Sequence, residues 1–345
     1  MPRILVIAPH WIGDAVMSLP LITLIHNRFP NSSIDVLCTP WVGPIYRTCP
    51  EMTSIIEHDF QHGALQWGLR RSIAQELKRQ DYEMAFVLPN SFKSALIPWL
   101  AKIPKRIGYQ GEFRFGLINL SLPNPSRNVR TPMIEHYAKL VEGLNPTADL
   151  KNLPQPRLTI DPALVQWAAN KIDQIGGGSY YVFAPGAEYG PAKRWPTGHF
   201  AQLANQILEG HPDTKIIILG SLADHALGQE IVQGSNLSNR IHNWCGTIRL
   251  DQSMALIAQC TSLISNDSGL MHIAADLAVP QIAIFGSSNP KHTPPLSQKA
   301  QIIWLGLGCS PCYQRTCPLG HLNCLNQIEA GAAAQSQPND LSFLG

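Results

Sequence analysis

A single carboxylate, Asp14, follows the first apolar run of the chain, Ile4–Ala8, after a short loop. A carboxylate held where a strand gives way to a helix can act as a general base and take a proton from a substrate hydroxyl. Asp also caps helix N-termini, and local sequence alone favours this structural role. The pattern G-x-G-x-x-G is absent because Gly13 stands alone, so the loop does not indicate a dehydrogenase.

A second candidate loop follows the apolar run Tyr180–Ala184. Gly186 and Gly190 leave backbone amides accessible, and Lys193 and Arg194 add positive charge just before a predicted helix. These features are typical of a cradle for a diphosphate. A flexible loop with exposed basic side chains is the alternative, but the position after a core strand favours the diphosphate site.

The run Ser265–His272 joins a buried-type strand to an apolar helix through small residues. Free amides at a helix N-terminus attract anions, and the helix dipole adds to that attraction. Asp267 cannot attract a phosphate, so we expect it to order the turn or a hydroxyl, or to cap the helix. Gly269 permits close approach of a ligand. His272 either points to the same site or packs within the helix.

The chain has eight cysteines. Four are scattered and are interpreted as small buried residues: Cys38, Cys49, Cys245 and Cys260. The other four follow the spacing C-x2-C-x4-C-x6-C, with His321 nearby: Cys309, Cys312, Cys317 and Cys324. Such a cluster can hold a structural zinc ion, and reduced structural thiols are the alternative. Disulfides are not expected in a chain without a secretory signal.

Positive charge is concentrated between residues 93 and 130, where seven basic residues accompany one acid, Glu112. The basic residues are Lys93, Lys102, Lys105, Arg106, Arg114, Arg127 and Arg130. One interpretation is a solvated surface. The other is a surface for an anionic partner such as phosphates or a membrane leaflet.

These runs are embedded in alternating strand and helix patterns. Strands are predicted over 4–8, 33–38, 54–57, 84–88, 180–184, 215–219, 262–265 and 281–285. Helices are predicted over 15–29, 65–79, 162–175, 197–209, 223–232, 251–260 and 269–277, with Pro20 kinking or breaking the first. The alternation predicts an α/β fold with parallel sheets covered on both faces. A polar, Pro-rich stretch, 152–162, separates two such series, which predicts two Rossmann-like β/α/β domains facing a cleft.

Composition narrows the class of protein. The 345 residues are 45% apolar and 14% charged with a net charge of +2, which excludes a disordered chain and argues against bulk nucleic-acid binding. No apolar run approaches the ~20 residues of a spanning helix. The start, Met1-Pro2-Arg3, passes directly into a strand, so no signal peptide is expected. We therefore expect a soluble intracellular protein.

Five runs, taken together and in order, resemble the ADP-heptose:lipopolysaccharide heptosyltransferases of glycosyltransferase family nine. The runs are Trp11–Asp14, Leu88–Ala95, Arg106–Tyr109, Gly186–Pro196 and Asn266–His272. The resemblance extends from residue 1 to about residue 305. It implies a GT-B fold, with an acceptor-binding domain over 1–155 and an ADP-heptose-binding domain over 156–325.

The resemblance also implies an activity. The enzyme would transfer L-glycero-D-manno-heptose from ADP-heptose to the first inner-core heptose of heptosyl-Kdo2-lipid A, with inversion at the anomeric carbon. No metal at the diphosphate and no other cofactor would be required. It implies that Asp14 is the base and that Lys193 meets the diphosphate. The donor site is expected to contain Gly13, Gly186, Glu188, Lys193, Arg194, Asp267, Ser268, Gly269 and His272. The acceptor is expected to contact Asn90, Lys93, Arg106 and Arg114.

Such an enzyme is expected in the cytoplasm, bound peripherally at the inner face of the inner membrane. The basic residues between 93 and 130 are expected to dock the anionic lipid acceptor. Two alternatives remain: an enzyme that adds the first heptose to Kdo2-lipid A, and a non-catalytic nucleotide-sugar-binding protein that would not need Asp14. Family members usually end in an amphipathic helix. Here residues 330–345 are rich in Ala, Gln and Ser and contain Pro338, so an irregular tail is expected over 326–345.

Overall fold

The computed structural model describes residues 1–61, 63–125, 131–143, 153–155 and 157–335. Two compact units make up the chain, Met1–Arg157 (unit 1) and Leu158–Gly345 (unit 2). The sequence placed this boundary between residues 155 and 156. Arg127 and Arg130 of the basic stretch, and the last ten residues of the predicted tail, lie outside the described residues.

Unit 1 is a parallel sheet flanked by helices. Its elements are β1 (Arg3–Ile7), α1 (Ile12–Arg28), β2 (Ser33–Cys38), α2 (Gly43–Arg47), β3 (Ser54–Glu57), α3 (Trp67–Lys78), β4 (Met84–Val87), α4 (Phe92–Leu100), β5 (Lys105–Tyr109), β6 (Leu120–Leu122) and α5 (Met133–Ala138). The six described strands follow the order β3-β2-β1-β4-β5-β6, with Ile4 opposite Ile34 and Met84. Helices on both faces bury the central strands, which explains their nearly continuous apolar sequence.

Unit 2 repeats this architecture. Its elements are α6 (Pro162–Asp173), β7 (Tyr180–Ala184), α7 (Thr197–Gly210), β8 (Lys215–Ile218), α8 (His225–Gly234), β9 (Ile241–Asn243), α9 (Leu250–Gln259), β10 (Ser262–Asn266), α10 (Gly269–Asp276), β11 (Gln281–Ile284), β12 (Ala300–Ile303), α11 (Asn323–Asn326) and α12 (Ala330–Gln335). The strand order, β12-β11-β10-β7-β8-β9, is the same doubly wound arrangement. The predicted α/β class with two Rossmann-like halves is confirmed.

The first helix differs from its prediction in a way that matters for the site. α1 begins at Ile12, three residues earlier than predicted, and continues through Pro20 without a break. Pro20 lacks the N–H that an internal helix position would use. Nine buried side chains of α1 pack into unit 1 and hold the helix together across this defect.

Several elements were not predicted from the sequence, among them α4, β5 and β6. Basic residues and Pro98 interrupt the apolar pattern in this part of the chain. The predicted irregular tail is wrong for residues 330–335, which form α12 and pack against α7. Ala330 and Ala333 are buried there, because their small side chains let the helix approach closely. Among the described helices, none has both the length and the apolar character needed to cross a membrane.

Candidate active site

A cavity of about 560 Å³ lies where β1, β2 and β4 end in unit 1. Ligands of parallel α/β sheets bind at this carboxyl edge, because the loops that follow the strands converge there. Apolar residues from the strand ends form its base. The polar and charged side chains that line it include His10, Asp14, Arg70, Asn90, Lys93, Glu112, His136 and Tyr137.

Asp14 lies in the first turn of α1 and lines this cavity. The N-cap of α1 is Trp11, whose side chain makes no capping bond, so the interpretation of Asp14 as a helix cap is wrong. The positive end of the helix dipole stabilises a negative charge at this position. The structure therefore presents a half-buried carboxylate at the wall of a cavity large enough for a sugar.

Tyr137, on α5, donates a hydrogen bond to the Asp14 carboxylate. Its side chain is buried, and burial raises the pKa of the phenol well above its ordinary value, so Tyr137 stays protonated and remains a donor. A second buried phenol, Tyr46, shares a 3.0 Å hydrogen bond with Ser18 instead. The sequence analysis missed Tyr137, since nothing near it in the chain indicates its partner.

Arg70 is the second cavity residue that the sequence analysis missed. It is 4% exposed, donates from Nε to the Leu65 carbonyl at 2.7 Å, and donates from Nη1 to the Lys93 carbonyl at 3.0 Å. Its guanidinium lies 4.8 Å from the centre of the Phe60 ring. No ion pair among the described residues involves Arg70, so this buried cation faces the cavity with no protein carboxylate to neutralise it.

The four predicted acceptor residues separate into two pairs. Asn90 and Lys93 line the cavity, and Asn90 Oδ1 is buried with no hydrogen-bond partner among the described residues. Arg106 and Arg114 do not line it. Arg114 is 3% exposed and donates to the carbonyls of Pro89 and Tyr109, while Arg106 donates to backbone carbonyls between residues 103 and 117. These two guanidiniums donate to backbone carbonyls and do not line the cavity, and their contact with an acceptor stays a prediction.

In unit 2, the loop after β7 and the start of α10 meet in an ion pair. Lys193 Nζ lies 2.5 Å from Asp267 Oδ2, which also accepts a 2.5 Å hydrogen bond from Ser288 Oγ. Asp267 precedes the N-cap, Ser268, so the interpretation of Asp267 as the cap is wrong. The carboxylate instead holds Lys193 at the N-terminus of α10, where helix amides also carry positive partial charge.

The two loops are joined a second time through Asn266, the last residue of β10. Its Oδ1 accepts a 2.9 Å bond from the Trp195 amide, and its Nδ2 donates to the Pro185 carbonyl at 2.6 Å. Asn266 is fully buried, so both bonds are shielded from water. This side chain fixes the loop that carries Lys193, a role that the sequence analysis did not assign.

Ser268 and His272 complete the N-terminal end of α10. Ser268 Oγ is buried with no hydrogen-bond partner among the described residues, although it stands at the helix N-cap. Burial lowers the pKa of His272 to about 4, while the Asp267 charge raises it and the Lys193 charge lowers it. His272 is therefore a neutral imidazole near pH 7, packed in the helix beside the charged pair.

The other residues predicted to bind the donor do not lie together at the N-terminus of α10. A Cβ at Gly186 would collide with the Asp224 carboxylate, so glycine is required there by the protein itself. Arg194 Nη2 donates to the Ala187 carbonyl at 3.3 Å, and Glu188 is exposed. Gly269 is the first residue of α10. Gly13 lies in the first turn of α1, in unit 1, beside Asp14.

The cysteine segment, residues 309–324, contacts the loop after β7 that carries Lys193. The Ala192 amide donates to the Arg315 carbonyl at 3.0 Å, and Tyr189 Oη donates to the Tyr313 carbonyl at 2.6 Å. A Cβ at Gly190 would lie 2.6 Å from the Arg315 carbonyl oxygen, so a side chain at Gly190 would force these segments apart. The segment thus holds the backbone that immediately precedes Lys193.

All eight cysteines are free thiols. Burial raises the pKa of Cys324, and the charges of Cys309, Cys312 and Cys317 raise it further, so the four thiols lie near one another. Within the described ranges, however, no group of three or more His, Cys, Asp or Glu side chains is arranged to hold a metal ion. The zinc interpretation of the cluster therefore has no support in this geometry.

Two Rossmann-like units, one with a carboxylate at a sugar-sized cavity and one with a lysine at a helix N-terminus, define a nucleotide-sugar glycosyltransferase of the GT-B type. The model of glycosyltransferase family 9 (heptosyltransferase) matches residues 70–323, and the chain belongs to this family. It is 40% identical to lipopolysaccharide heptosyltransferase 2 of Escherichia coli K12 over 317 residues, 89% of each chain. It is 39% identical to lipooligosaccharide heptosyltransferase 2 of Haemophilus influenzae over 314 residues, 88% of each chain.

The fold agrees with a solved relative. The structure titled E. coli ADP-heptose lps heptosyltransferase II matches with a TM-score of 0.83 at 35% identity, covering 97% of both chains. The predicted GT-B fold and glycosyltransferase class are thereby confirmed. Lipopolysaccharide heptosyltransferase 1 of Pseudomonas aeruginosa is a more distant relative, at 24% identity over 327 residues.

Proposed function

We propose that this chain transfers L-glycero-D-manno-heptose from ADP-heptose to the first inner-core heptose of a lipid-linked acceptor in lipopolysaccharide core biosynthesis. The observation that carries the proposal is Asp14, a carboxylate held by Tyr137 at a cavity in a member of the heptosyltransferase family. The higher identity to heptosyltransferase 2 relatives than to a heptosyltransferase 1 favours the heptose acceptor over Kdo.

On the acceptor side, Asp14 accepts the proton of the attacking hydroxyl. The oxygen then forms a bond to the anomeric carbon of the donor, and the bond from that carbon to the diphosphate breaks with inversion. Tyr137 holds the carboxylate in one orientation during this step. Arg70 and Lys93 supply positive charge on the cavity wall, which suits the carboxylates of the Kdo residues on the acceptor.

On the donor side, the diphosphate takes up the electron pair as ADP leaves. Lys193 offsets the growing negative charge, and Asp267 keeps the ammonium group in place. The amides at the N-terminus of α10 and the unpaired Ser268 hydroxyl can donate to the phosphate oxygens. Fixed donors of this kind stabilise a leaving anion without a divalent ion, and we infer a metal-free transfer.

The lipid-linked acceptor also determines where the enzyme works. We infer a cytoplasmic enzyme that contacts the inner membrane peripherally, at the leaflet where the acceptor is assembled. Of the basic residues between 93 and 130, Lys102 and Lys105 are exposed and can contribute to this contact, whereas Arg106 and Arg114 cannot.

Mass spectrometry of the acceptor after incubation with ADP-heptose tests the proposal. We expect one added heptose on heptosyl-Kdo2-lipid A and none on Kdo2-lipid A, in the presence of EDTA. Asp14→Asn, which keeps the shape but removes the base, should slow transfer by ~10²–10⁴ with ADP affinity retained. Addition to Kdo2-lipid A would support a heptosyltransferase 1, and ADP-heptose binding without transfer would support the non-catalytic alternative.

A further inference from the structure

Two nearly fully exposed phenylalanines lie in the loop between β5 and β6. Phe113 is 91% exposed and Phe115 is 98% exposed, within a segment that we call the Phe loop, residues 111–116. Single exposed apolar residues are common on protein surfaces. Two large aromatic side chains that are separated by a single residue and are both exposed to solvent are instead characteristic of an interaction site.

The structure holds these side chains outward. Arg114, between them, points inward and donates from Nη1 to the Pro89 carbonyl and from Nη2 to the Tyr109 carbonyl, each at 2.5 Å. Arg106 donates to the Gly116 carbonyl at 3.2 Å. Two guanidiniums therefore fasten the Phe loop to the body of unit 1. The phenylalanines are displayed by a braced loop and do not fold back onto the apolar core.

The base of the Phe loop belongs to the cavity that contains Asp14. Gly111 and Glu112 line that cavity, and Glu112 Oε2 accepts a 3.2 Å bond from the Phe92 amide. A Cβ at Gly111 would lie 2.6 Å from the Asn90 carbonyl oxygen, so the loop passes directly against the cavity wall. Phe113 and Phe115 therefore belong to a loop that begins at the rim of this cavity.

The chemistry of this rim matches that of a membrane interface. Aromatic rings favour the boundary between headgroups and acyl chains, and lysines add attraction to an anionic leaflet. Lys93 lines the cavity and adds positive charge there, and its neighbour Phe92 is 38% exposed. The acceptor of the proposed reaction is itself anchored in a leaflet.

We propose that the Phe loop inserts Phe113 and Phe115 into the leaflet that carries the acceptor, so that the cavity opens onto the membrane surface. This inference rests on the proposed function for the identity of the lipid-linked acceptor. It assigns no catalytic role to the two side chains, because neither lines the cavity. Their contribution is to bring the cavity to a substrate that cannot leave the bilayer.

Vesicle binding tests the insertion directly. The variant Phe113→Ser/Phe115→Ser should bind vesicles of phosphatidylethanolamine and phosphatidylglycerol at least ~10-fold more weakly, because two rings lose their transfer from water. The matched control is Leu222→Ser, which removes a 76% exposed apolar side chain from unit 2. The control should bind as the parent does. Equal vesicle binding by the parent and the double variant would overturn the proposal.

Transfer assays distinguish this proposal from the proposed function. With acceptor embedded in vesicles, kcat/KM of the double variant should fall about as far as its vesicle binding. With a chemically deacylated, water-soluble acceptor, kcat/KM should match the parent. An equal loss on both acceptors, or a parent dimer that the substitutions dissociate, would contradict membrane insertion. A parent enzyme that transfers heptose to neither acceptor would instead refute the proposed function, while vesicle binding would still report on the loop.

Discussion

The hydroxyl of Tyr137 on α5 donates a hydrogen bond to the carboxylate of Asp14 on α1, and the two helices pack against each other in unit 1. Both side chains line the same cavity. This contact ties the proposed base to a buried group that cannot itself ionise near neutral pH. We therefore expect Tyr137 to position the Asp14 carboxylate, and enzyme kinetics can measure this role separately from the stability of the fold.

Tyr137→Phe should lower kcat by ~10–100-fold, since a hydrogen bond to a charged group contributes about 1.5–3 kcal/mol. Loss of this donor also destabilises the ionised Asp14, so the acidic limb of the kcat/KM pH profile should move to higher pH. The matched control is Tyr46→Phe, which removes a buried hydroxyl bonded to Ser18. A Tyr137→Phe profile that superimposes on the parent profile would reduce the contact to packing.

Lys193→Ala should weaken ADP binding by roughly tenfold or more and lower kcat by ~10², because charge on the leaving diphosphate loses a fixed donor. It also leaves the buried Asp267 carboxylate without its cation, which should reduce the free energy of unfolding by about 1–3 kcal/mol. The double variant Lys193→Ala/Asp267→Asn should recover stability but not ADP affinity. Calorimetric titration with ADP and thermal unfolding separate the two effects. If Lys193→Ala binds ADP as tightly as the parent does, Lys193 does not contact the diphosphate.

Arg70→Met should raise the acceptor KM by ~10–100-fold with a smaller change in kcat, because a buried cation loses its contact with an anionic group. Arg71→Met, on the same helix but exposed, is the matched control and should leave KM unchanged. Methyl esterification of the Kdo carboxylates should impair the parent enzyme and leave Arg70→Met nearly unaffected. If esterification impairs both equally, Arg70 acts only by joining the Leu65 and Lys93 backbones.

Asp276 makes stability depend on pH. Burial raises its pKa to about 7 from an ordinary value of 3.8, although the Leu158 amide, which donates to it at 2.5 Å, opposes the shift. The folded state thus holds a proton that the unfolded chain releases, so this contribution to stability is complete below about pH 4 and is lost as pH rises to about 7.

Asp276→Asn should remove that dependence and should be more stable than the parent at pH 8 by about 2–4 kcal/mol. The Asn side chain can still accept the Leu158 amide bond without a buried charge. Denaturant unfolding at pH 5 and pH 8 measures the difference, with the exposed Asp213→Asn as control. A parent protein that is equally stable at both pH values would show that Asp276 does not titrate in this range.

The sequence by itself determined the class of fold and the local chemistry. Alternating apolar runs fix parallel strands between helices, so β1, β3, β7 and β10 lie within a residue or so of their predicted bounds. Asp14, Lys193 and Asp267 could be singled out because each follows such a strand, and strand ends in a parallel sheet converge.

Only the tertiary structure decided which side chains meet. Tyr137 reaches Asp14 from 123 positions along the chain. Arg70 enters the cavity from α3, an amphipathic helix whose other buried residues, Ile73, Ala74 and Leu77, are apolar. Arg114 carries the same charge as Arg70 but satisfies two backbone carbonyls. The charge of a side chain follows from its residue type. The partner of that charge depends on packing between segments that are distant in the chain, and local sequence patterns do not show which segments pack together.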